Sequence, residues 1–386
     1  MTHVAPEMSS GPGREARLDV AVVGAGQAGL AIGYYLARAG KRFVILDRAD
    51  SIGSAWRRRW DSLVLFTPRR YDALPGLPFA GDPDGYPTRD EVVAYLERYA
   101  TEFELPIELE SEVRSLTKED GRFVVSVNGR ELGADQVVVA TGPFQVPHVP
   151  AAGGDLSGEV FQTHSTGYRR PSDVPSGTVV VVGGGNTGYQ IAKELASTHS
   201  VQLAVGSKQT PLPQRILGRD LFWWLTKLGL LEKTIESRVG TRASERDTLI
   251  GSSARQLRRH GVQQKPRVVG ASGRTLRFGD GSEVEVDAVV WATGFRSDYS
   301  WIALPIVDEK GRARHRRGVT DVRGLYLLGL SWQYTRGSAL LGFVKDDAEF
   351  IADEIARRAG DMPGADATTE NDHGRLSNAA GAREGV

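Results

Sequence analysis

Two glycine-rich segments of closely similar design constrain the fold of this sequence more than any other feature. Residues 18–50 read LDVAVVGAGQAGLAIGYYLARAGKRFVILDRAD, and residues 178–209 read TVVVVGGGNTGYQIAKELASTHSVQLAVGSKQ. Each segment predicts an apolar strand, a turn with three spaced glycines, a helix and a second strand. Because a strand–helix–strand unit joins two parallel strands, the pair predicts an α/β fold with two parallel sheets.

The first segment carries the complete pattern of a dinucleotide cradle. Gly24, Gly26 and Gly29 match G-x-G-x-x-G between the strand and the helix. The first glycine makes the turn, the second lets a pyrophosphate approach the backbone, and the third lets helix and strand pack closely. Asp47 ends the second strand, where a carboxylate accepts hydrogen bonds from ribose hydroxyls. We therefore expect FAD or NAD in this cradle.

The second segment repeats the cradle but lacks the acid. Its predicted cofactor contacts are Gly183, Gly185, Asn186, Gly188, Ser207 and Lys208. The second strand ends in a hydroxyl and a cation, which favour the 2′-phosphate of NADPH, whereas a carboxylate would repel it. An ordinary exposed role for Lys208 stays open. Two adjacent dinucleotides imply hydride transfer between them, so we assign FAD to the first cradle and NADPH to the second.

The order of the modules predicts that one domain is inserted into the other. After each cradle the chain repeats a hairpin, a buried strand and the letters ATG, at 140–142 and at 292–294. Thr141 and Gly142, in the first of these, are further expected cofactor contacts. A last strand and a long final helix then complete the first domain. Residues 88–103 predict an amphipathic helix capped by Thr88, and the Asn-Gly pair at 128–129 predicts a hairpin turn.

The predicted architecture is two Rossmann-like dinucleotide-binding domains, with the NADPH-binding domain inserted into the FAD-binding domain. The predicted segments are a disordered tail (1–16), the first part of the FAD domain (17–165), the NADPH domain (166–290), the second part of the FAD domain (291–360) and another disordered tail (361–386).

Charge and composition exclude several classes of function. Lys plus Arg and Asp plus Glu each total 48, so no net field attracts nucleic acid or an anionic membrane. The chain has no cysteine and its seven histidines form no HxxxH pair, which excludes dithiol chemistry and leaves no metal site to expect. We expect no signal peptide, because residues 1–16 are polar, and the longest notably apolar stretch, residues 221–231, is too short to span a bilayer. We expect a cytoplasmic protein, and a homodimer is left open.

The motifs together resemble those of the class B flavoprotein monooxygenases, in particular the bacterial relatives of the flavin-containing monooxygenases. The resemblance covers roughly residues 18–358 and includes both glycine motifs, IGSAW (52–56), SLVLFTP (62–68), YPTRDEVVAYLERYA (86–100) and QTHSTGYRRP (162–171). It implies an FAD-dependent, NADPH-consuming enzyme that inserts one oxygen atom from O2 into a small organic substrate. By resemblance the insertion is an N-, S- or C-hydroxylation through a C4a-hydroperoxyflavin.

The resemblance also implies roles for single residues. It puts Trp56, Thr67 and Pro68 against the flavin, and Gln333 at the other side of the flavin ring. Typical flavin-containing monooxygenases have an Asn before the Thr-Pro turn, where this chain has Phe66. The expected catalytic residues are therefore Phe66, Thr67 and Gln333.

The family fingerprint between the domains is only partly kept. His164 and Tyr168 retain its final H-x-x-x-Y, and His164 by itself reads more often as a hydrogen-bonded linker histidine than as a proton donor. Two alternative functions stay open, an NADPH-dependent flavin reductase or oxidase and a redox sensor that binds FAD and NADPH without turnover. The missing Asn keeps the first of these alternatives open.

Overall fold

The computed structural model of the chain describes residues 17–207, 209–244 and 248–360. The two predicted disordered tails and Lys208 lie outside these ranges. The helices are α1 (Gln27–Arg38), α2 (Ser54–Arg57), α3 (Arg89–Glu102), α4 (Asn186–Leu195), α5 (Leu221–Lys227), α6 (Arg238–Ser244), α7 (Ala254–Arg259) and α8 (Val344–Gly360). Short 3₁₀ helices span Arg69–Tyr71, Ala151–Gly153, Pro171–Asp173 and Arg336–Ala339.

The strands follow in chain order. They are β1 (Leu18–Val23), β2 (Phe43–Leu46), β3 (Ile107–Glu108), β4 (Val113–Glu119), β5 (Arg122–Val127), β6 (Arg130–Val139), β7 (Val146–Pro147), β8 (Phe161–His164), β9 (Thr178–Val182), β10 (Ser200–Ala204), β11 (Thr210–Leu212), β12 (Arg215–Ile216), β13 (Arg219–Asp220), β14 (Thr248–Ile250), β15 (Gln263–Lys265), β16 (Val268–Ser272), β17 (Thr275–Phe278), β18 (Glu283–Glu285), β19 (Ala288–Trp291), β20 (Phe295–Arg296) and β21 (Leu325–Leu327).

The first sheet is built around β1, the strand that precedes the first glycine turn. Its order is β3-β2-β1-β6-β5-β4, and β21 also pairs with β6. The pairs among β1, β2, β3, β6 and β21 are parallel, so residues 20–23 are covered on both faces and form one apolar run. β4, β5 and β6 are antiparallel, and the Asn128-Gly129 turn between β5 and β6 has the two positive φ values that a type I′ turn requires.

The second sheet is parallel throughout and is built around β9, the strand that precedes the second glycine turn. Its order is β15-β10-β9-β19-β8, and α4 connects β9 to β10. The antiparallel strands β16, β17 and β18 cover one face of this sheet, where Leu276 and Phe278 pack with Val289 and Trp291. The predicted α/β architecture is confirmed. The second sheet is parallel as predicted, whereas the first adds the antiparallel strands β4 and β5 to its parallel part.

Two short strands connect the sheets. The chain leaves the first sheet after β6, passes through β7 into the second sheet, and returns through β20, which pairs antiparallel with β7. It then ends in β21 and α8, which packs along α1. One dinucleotide-binding unit is therefore inserted into the other. The predicted limits after residues 165 and 290 fall at the ends of β8 and β19, both strands of the second sheet, and the exact limits stay a prediction.

The helices of the first unit bury one face each against its sheet. α3 begins at Thr88 with a capping box, in which Thr88 and Glu91 bond each other's backbone N–H groups, as the sequence predicts for its start. The core beneath α1, α3 and α8 contains Leu30, Tyr99 and Ile351. Within the described ranges, no helix combines the length and the apolar character that crossing a membrane requires.

Candidate functional site: two dinucleotide cradles

The three glycines of the first cradle meet different surroundings. A Cβ atom at Gly24, whose φ is +110°, would lie 2.6 Å from the carbonyl oxygen of Ala140. A Cβ atom at Gly29 would collide with the carbonyl oxygen of Gly24. At Gly26, in contrast, no heavy atom of the described residues lies within 4 Å of the Cβ position. The packing of the protein itself therefore requires glycine at positions 24 and 29, whereas Gly26 leaves space for a ligand.

The start of α1 offers unpaired donors beside that space. Gly26 is the N-cap, and no side chain of the described chain caps this helix start. The first N–H groups of a 12-residue helix thus face a site that suits the oxygens of a pyrophosphate. The Asp47 carboxylate accepts from the backbone N–H groups of Ala25 at 2.6 Å and Ala49 at 2.8 Å. Each oxygen keeps a lone pair for a ribose hydroxyl.

The second cradle repeats this geometry. Gly183 has a φ of +135°, and Cβ atoms at Gly183 and Gly188 would collide with the carbonyl oxygens of Ala292 and Gly183. At Gly185, no described heavy atom lies within 4 Å of the Cβ position. The Asn186 amide, in contrast, bonds along β14: it accepts from the Ile250 N–H at 2.9 Å and donates to the Thr248 carbonyl at 3.3 Å. Asn186 therefore fixes the helix start to β14.

The turn after β10 has a basic neighbour that the sequence did not single out. Gln209 donates to the Ser207 hydroxyl at 3.0 Å, and the Arg267 guanidinium donates to the Gly206 carbonyl at 3.1 Å. A cavity of about 410 Å³ opens beside this turn, with Gln209 and Lys265 in its wall. Arg267 lies some 60 residues further along the chain, so only the pairing of β10 with β15 reveals this position.

Trp56 and the segment before α8 meet at the start of α1. The Trp56 indole N–H donates to the Gln27 side chain at 3.1 Å, and Gln27 donates to the Ala339 carbonyl at 3.4 Å. The resemblance puts Trp56 at the flavin, and its position beside the first helical turn is compatible with that role.

Thr141 and Gly142, the expected cofactor contacts after β6, are both held by one side chain. The Gln145 amide donates to the Thr141 hydroxyl and to the Gly142 carbonyl, each at 2.9 Å.

The Thr67-Pro68 turn is buried. Thr67 donates to the Asp72 carboxylate at 2.6 Å, and both residues lie in the interior. Gly342 packs against the end of the 3₁₀ helix that follows this turn, because a Cβ atom there would collide with the Tyr71 carbonyl oxygen. The Thr67-Asp72 pair and Gly342 therefore come together. The sequence singled out Thr67 but not Asp72.

Phe66 belongs to an aromatic cluster with Tyr71, Phe222 and Phe343. Its ring stacks on Phe222 with centroids 6.0 Å apart, and its carbonyl accepts from Gln214 at 2.8 Å. Phe222 lies on α5, so Phe66 connects the Thr67 turn to the inserted unit. The aromatic segment from Phe222 to Leu231, which the sequence left open as an entrance or a packed helix, begins as a helix packed on this turn.

Gln333 is 2% exposed, and its Oε1 accepts from the Leu330 N–H at 3.2 Å within the same loop. Its Nε2 has no hydrogen-bond partner among the described residues. The expected contact of Gln333 with the flavin stays a prediction.

The segment that connects the two units contains His164, whose ring is held by two hydrogen bonds. The His164 ring bonds to the Gly294 carbonyl and the Thr166 hydroxyl, each at 3.1 Å, and burial lowers its pKa. Tyr168 donates to Glu194 at 2.9 Å. These contacts account for His164 as a hydrogen-bonded linker residue.

Arg59 is a basic residue in the segment that connects α2 to the Thr67-Pro68 turn. Its guanidinium lies 5.0 Å from the ring centre of Phe144 and 5.6 Å from that of Phe295. Burial lowers its pKa, and no acid among the described residues contributes to the shift. Phe144 follows the first ATG segment and Phe295 the second, so Arg59 lies where the residues after the two ATG segments approach each other.

The chain is similar to several known oxidoreductases. A family model described as pyridine nucleotide-disulphide oxidoreductase matches residues 21–216. A Geobacillus kaustophilus protein named "Uncharacterized oxidoreductase CzcO-like" is 50% identical over 88% of this chain and 98% of its own. The probable indole-3-pyruvate monooxygenase YUCCA7 of Arabidopsis thaliana is 31% identical over 87% of this chain and 86% of its own. The solved flavin-containing monooxygenase of Stenotrophomonas maltophilia aligns with a TM-score of 0.76 at 29% identity, covering 89% of this chain and 99% of that one.

Proposed function

The chain belongs to the pyridine nucleotide-disulphide oxidoreductase family, and from this premise we propose that it transfers one oxygen atom from O2 to a small organic substrate. It is a flavoprotein oxidoreductase of the monooxygenase type that uses FAD and NADPH. The observation that carries the proposal is the pair of cradles. In each, the Cβ position of the middle glycine, Gly26 or Gly185, faces open space among the described residues, and only the first cradle ends in a carboxylate, Asp47.

The residues present fit the two cofactors. In the first cradle, the uncapped start of α1 would hold the FAD pyrophosphate and Asp47 the ribose. In the second, Gly185 would leave room for the NADPH pyrophosphate, and Arg267 with Lys208 would attract its 2′-phosphate. Arg59, which has no acid partner among the described residues, lies between Phe144 and Phe295 and would face the phosphates of NADPH where it reaches the flavin.

Bound FAD supplies the redox chemistry and the reaction with oxygen. The chain's own residues bind, orient and exclude water. Trp56, Thr67 and Pro68 would form the wall beside the flavin, and the aromatic cluster around Phe66 closes that wall towards α5. Residues 18–358 contain no cysteine, so no dithiol lies between the two cofactors, and the disulphide chemistry in the family's name does not apply.

One observation supports a second candidate, an NADPH-driven oxidase that releases hydrogen peroxide. Phe66 stands where typical flavin-containing monooxygenases have Asn, and its ring is engaged with Phe222. It therefore offers no side-chain amide to the flavin.

The proposal is tested with purified enzyme, first without oxygen and then with it. We expect a yellow protein whose flavin absorbance is bleached by NADPH without oxygen, and faster than by NADH. With oxygen, a small-molecule panel should include indole-3-pyruvate, the substrate in the name of the plant relative. A substrate should lower the hydrogen peroxide released per NADPH consumed and appear as an oxygenated product. A protein that binds no flavin contradicts the proposal, and peroxide equal to NADPH with every compound favours the oxidase.

A further inference from the structure

Asp72 is a carboxyl group in the interior with an incomplete set of hydrogen bonds. It follows the 3₁₀ helix Arg69–Tyr71, its exposure is 0%, and its Oδ1 accepts from the Thr67 hydroxyl at 2.6 Å. Its Oδ2 has no partner among the described residues. A buried carboxylate with one hydrogen bond is costly, and carboxyl groups perturbed in this way concentrate at functional sites.

We propose that Asp72 is a positioning residue whose protonation sets whether the Thr67 hydroxyl donates or accepts a hydrogen bond on the flavin side. The inference rests on the proposed function, because the resemblance is what puts Thr67 against the flavin.

The two states differ by one proton exchanged with solvent. When Asp72 is ionised, Thr67 directs its O–H at the carboxylate, and its lone pairs remain for a donor on the cofactor side. When Asp72 is protonated, the acid donates to the Thr67 oxygen, and the threonine proton can turn towards an acceptor on the cofactor side. No other bond changes.

The surroundings of Asp72 bring its pKa close to neutral pH. Burial raises the pKa of Asp72 to about 7, while the Thr67 hydrogen bond and the charge of Arg69 act in the opposite direction. Arg69 is itself paired with Glu91 at 2.5 Å, and this pairing weakens the electrostatic attraction between Arg69 and the Asp72 carboxylate. From α3, Tyr95 also faces this carboxyl, and its own pKa is raised to about 12 mainly by burial.

The other elements around the turn bring different groups. The 339–342 segment packs on the turn through Gly342 and carries no ionisable side chain. Towards α5, the charges acting on neighbouring Tyr71 are those of Arg70, Asp220 and Asp84. They are not among the causes of the Asp72 shift.

The test is a pH titration of the oxidised holoenzyme, followed by the visible absorption and fluorescence of its flavin. The wild-type enzyme should show a spectral change with a midpoint near pH 7. Asp72→Asn should lose the midpoint because no proton is exchanged there. Thr67→Val should lose it because the hydroxyl that transmits the change is absent. Thr67→Ser, which keeps the hydroxyl, should retain it.

Asp346→Asn is the matched control, because partial burial also raises the pKa of Asp346 at the start of α8, and this variant should titrate like the wild type. The inference is overturned if the wild-type spectrum does not change with pH, or if the midpoint survives in Thr67→Val. Thr67→Val keeps the test decisive should Asp72→Asn fail to fold. A yellow, NADPH-reducible enzyme without the midpoint refutes this inference alone, whereas a protein without flavin refutes the proposed function as well.

Discussion

At the scale of single residues, the middle glycine of each cradle differs from its two neighbours. Gly24 and Gly29 are required by the protein's own backbone, because a Cβ atom at either position would meet a carbonyl oxygen. Gly26 and Gly185 face open space among the described residues, so the folded chain tolerates a side chain there. A substitution at Gly26 or Gly185 therefore tests ligand binding with little effect on folding.

Gly26→Val should give a folded protein that has lost its FAD. The valine side chain would occupy the space that we assign to the pyrophosphate, and we expect FAD affinity to fall more than about tenfold, which is about 1.4 kcal/mol. The measurement is the ratio of flavin to protein after purification, with circular dichroism as the check on folding. Gly185→Val is the matched control and should remain yellow. A fully loaded Gly26→Val protein would show that the first cradle does not hold FAD.

Arg267→Ala should weaken the preference for NADPH over NADH. A charge-assisted hydrogen bond to the 2′-phosphate contributes about 1 to 3 kcal/mol, so the ratio of the two kcat/KM values should fall roughly five- to 150-fold. Ser207→Asp should lower it further by repulsion. Arg277→Ala, on the exposed side of β17, is the control and should leave the ratio unchanged. Equal losses with both cofactors would argue against a phosphate contact at Arg267.

At the scale of elements, α5 is attached to the first unit through Asp220. This residue caps the helix by accepting from the Phe222 N–H at 2.7 Å, and it also accepts from Tyr86 at 2.7 Å and Gln214 at 2.9 Å. Since Gln214 also donates to the Phe66 carbonyl, one carboxylate organises the contact between α5 and the Thr67 turn.

Asp220→Ala should destabilise the protein by about 1 to 3 kcal/mol, because it removes a helix cap and leaves two donors without their acceptor. The free energy of unfolding in urea measures this loss. Tyr86→Phe removes only one of the three bonds and should cost less. An Asp220→Ala protein as stable as the wild type would mean that α5 is held by its apolar contacts alone.

Some helices and turns of this fold can be predicted from the sequence, and others cannot. α3 with its Thr88 cap and the hairpin at Asn128 were predictable, because their signals lie within a few consecutive residues. The short helices α6 and α7 were not, because six or seven residues are too few to show a helical period. In the site, the glycine roles follow from local spacing. The contacts of Arg59 and Arg267 and the burial of Asp72 depend on residues distant in the sequence.

At the scale of the whole molecule, β7 and β20 lie side by side between the two units, and Arg59 lies over the rings that flank them. Gly24 packs on Ala140 and Gly183 on Ala292, the first residues of the two ATG segments, and Phe144 and Phe295 follow these segments in the chain. A cofactor that extends from one cradle to the other would pass Arg59.

Arg59→Gln should therefore weaken NADP⁺ binding by roughly five- to 150-fold without loss of FAD, since it removes one charge-assisted contact of about 1 to 3 kcal/mol. The change in flavin absorbance on titration with NADP⁺ gives the dissociation constant. Arg58→Gln, an exposed neighbour in the same segment, should bind like the wild type. An unchanged constant in Arg59→Gln would leave this arginine with a packing role only.

The stability of the whole molecule should depend on pH through Asp72. Its folded pKa, raised from 3.8 to about 7 by burial, lies above the unfolded value, so its contribution is fully present below about pH 4 and is lost as pH rises through 7. The cost is about 1.4 kcal/mol per pKa unit. In urea unfolding, Asp72→Asn should gain stability relative to the wild type from pH 4 to pH 7, with no further gain above. A constant difference between the two proteins would contradict a proton held at Asp72.

The most direct test of monooxygenase function needs no knowledge of the substrate. Enzyme reduced by one equivalent of NADPH without oxygen, with NADP⁺ retained, is mixed with oxygenated buffer in a single turnover. The consumption of O2 and the release of hydrogen peroxide are then followed separately. We predict that O2 is consumed in a fast phase and that peroxide appears clearly later, because a monooxygenase holds activated oxygen for its substrate. Peroxide released at the rate of O2 consumption would contradict the account and identify the enzyme as an NADPH oxidase.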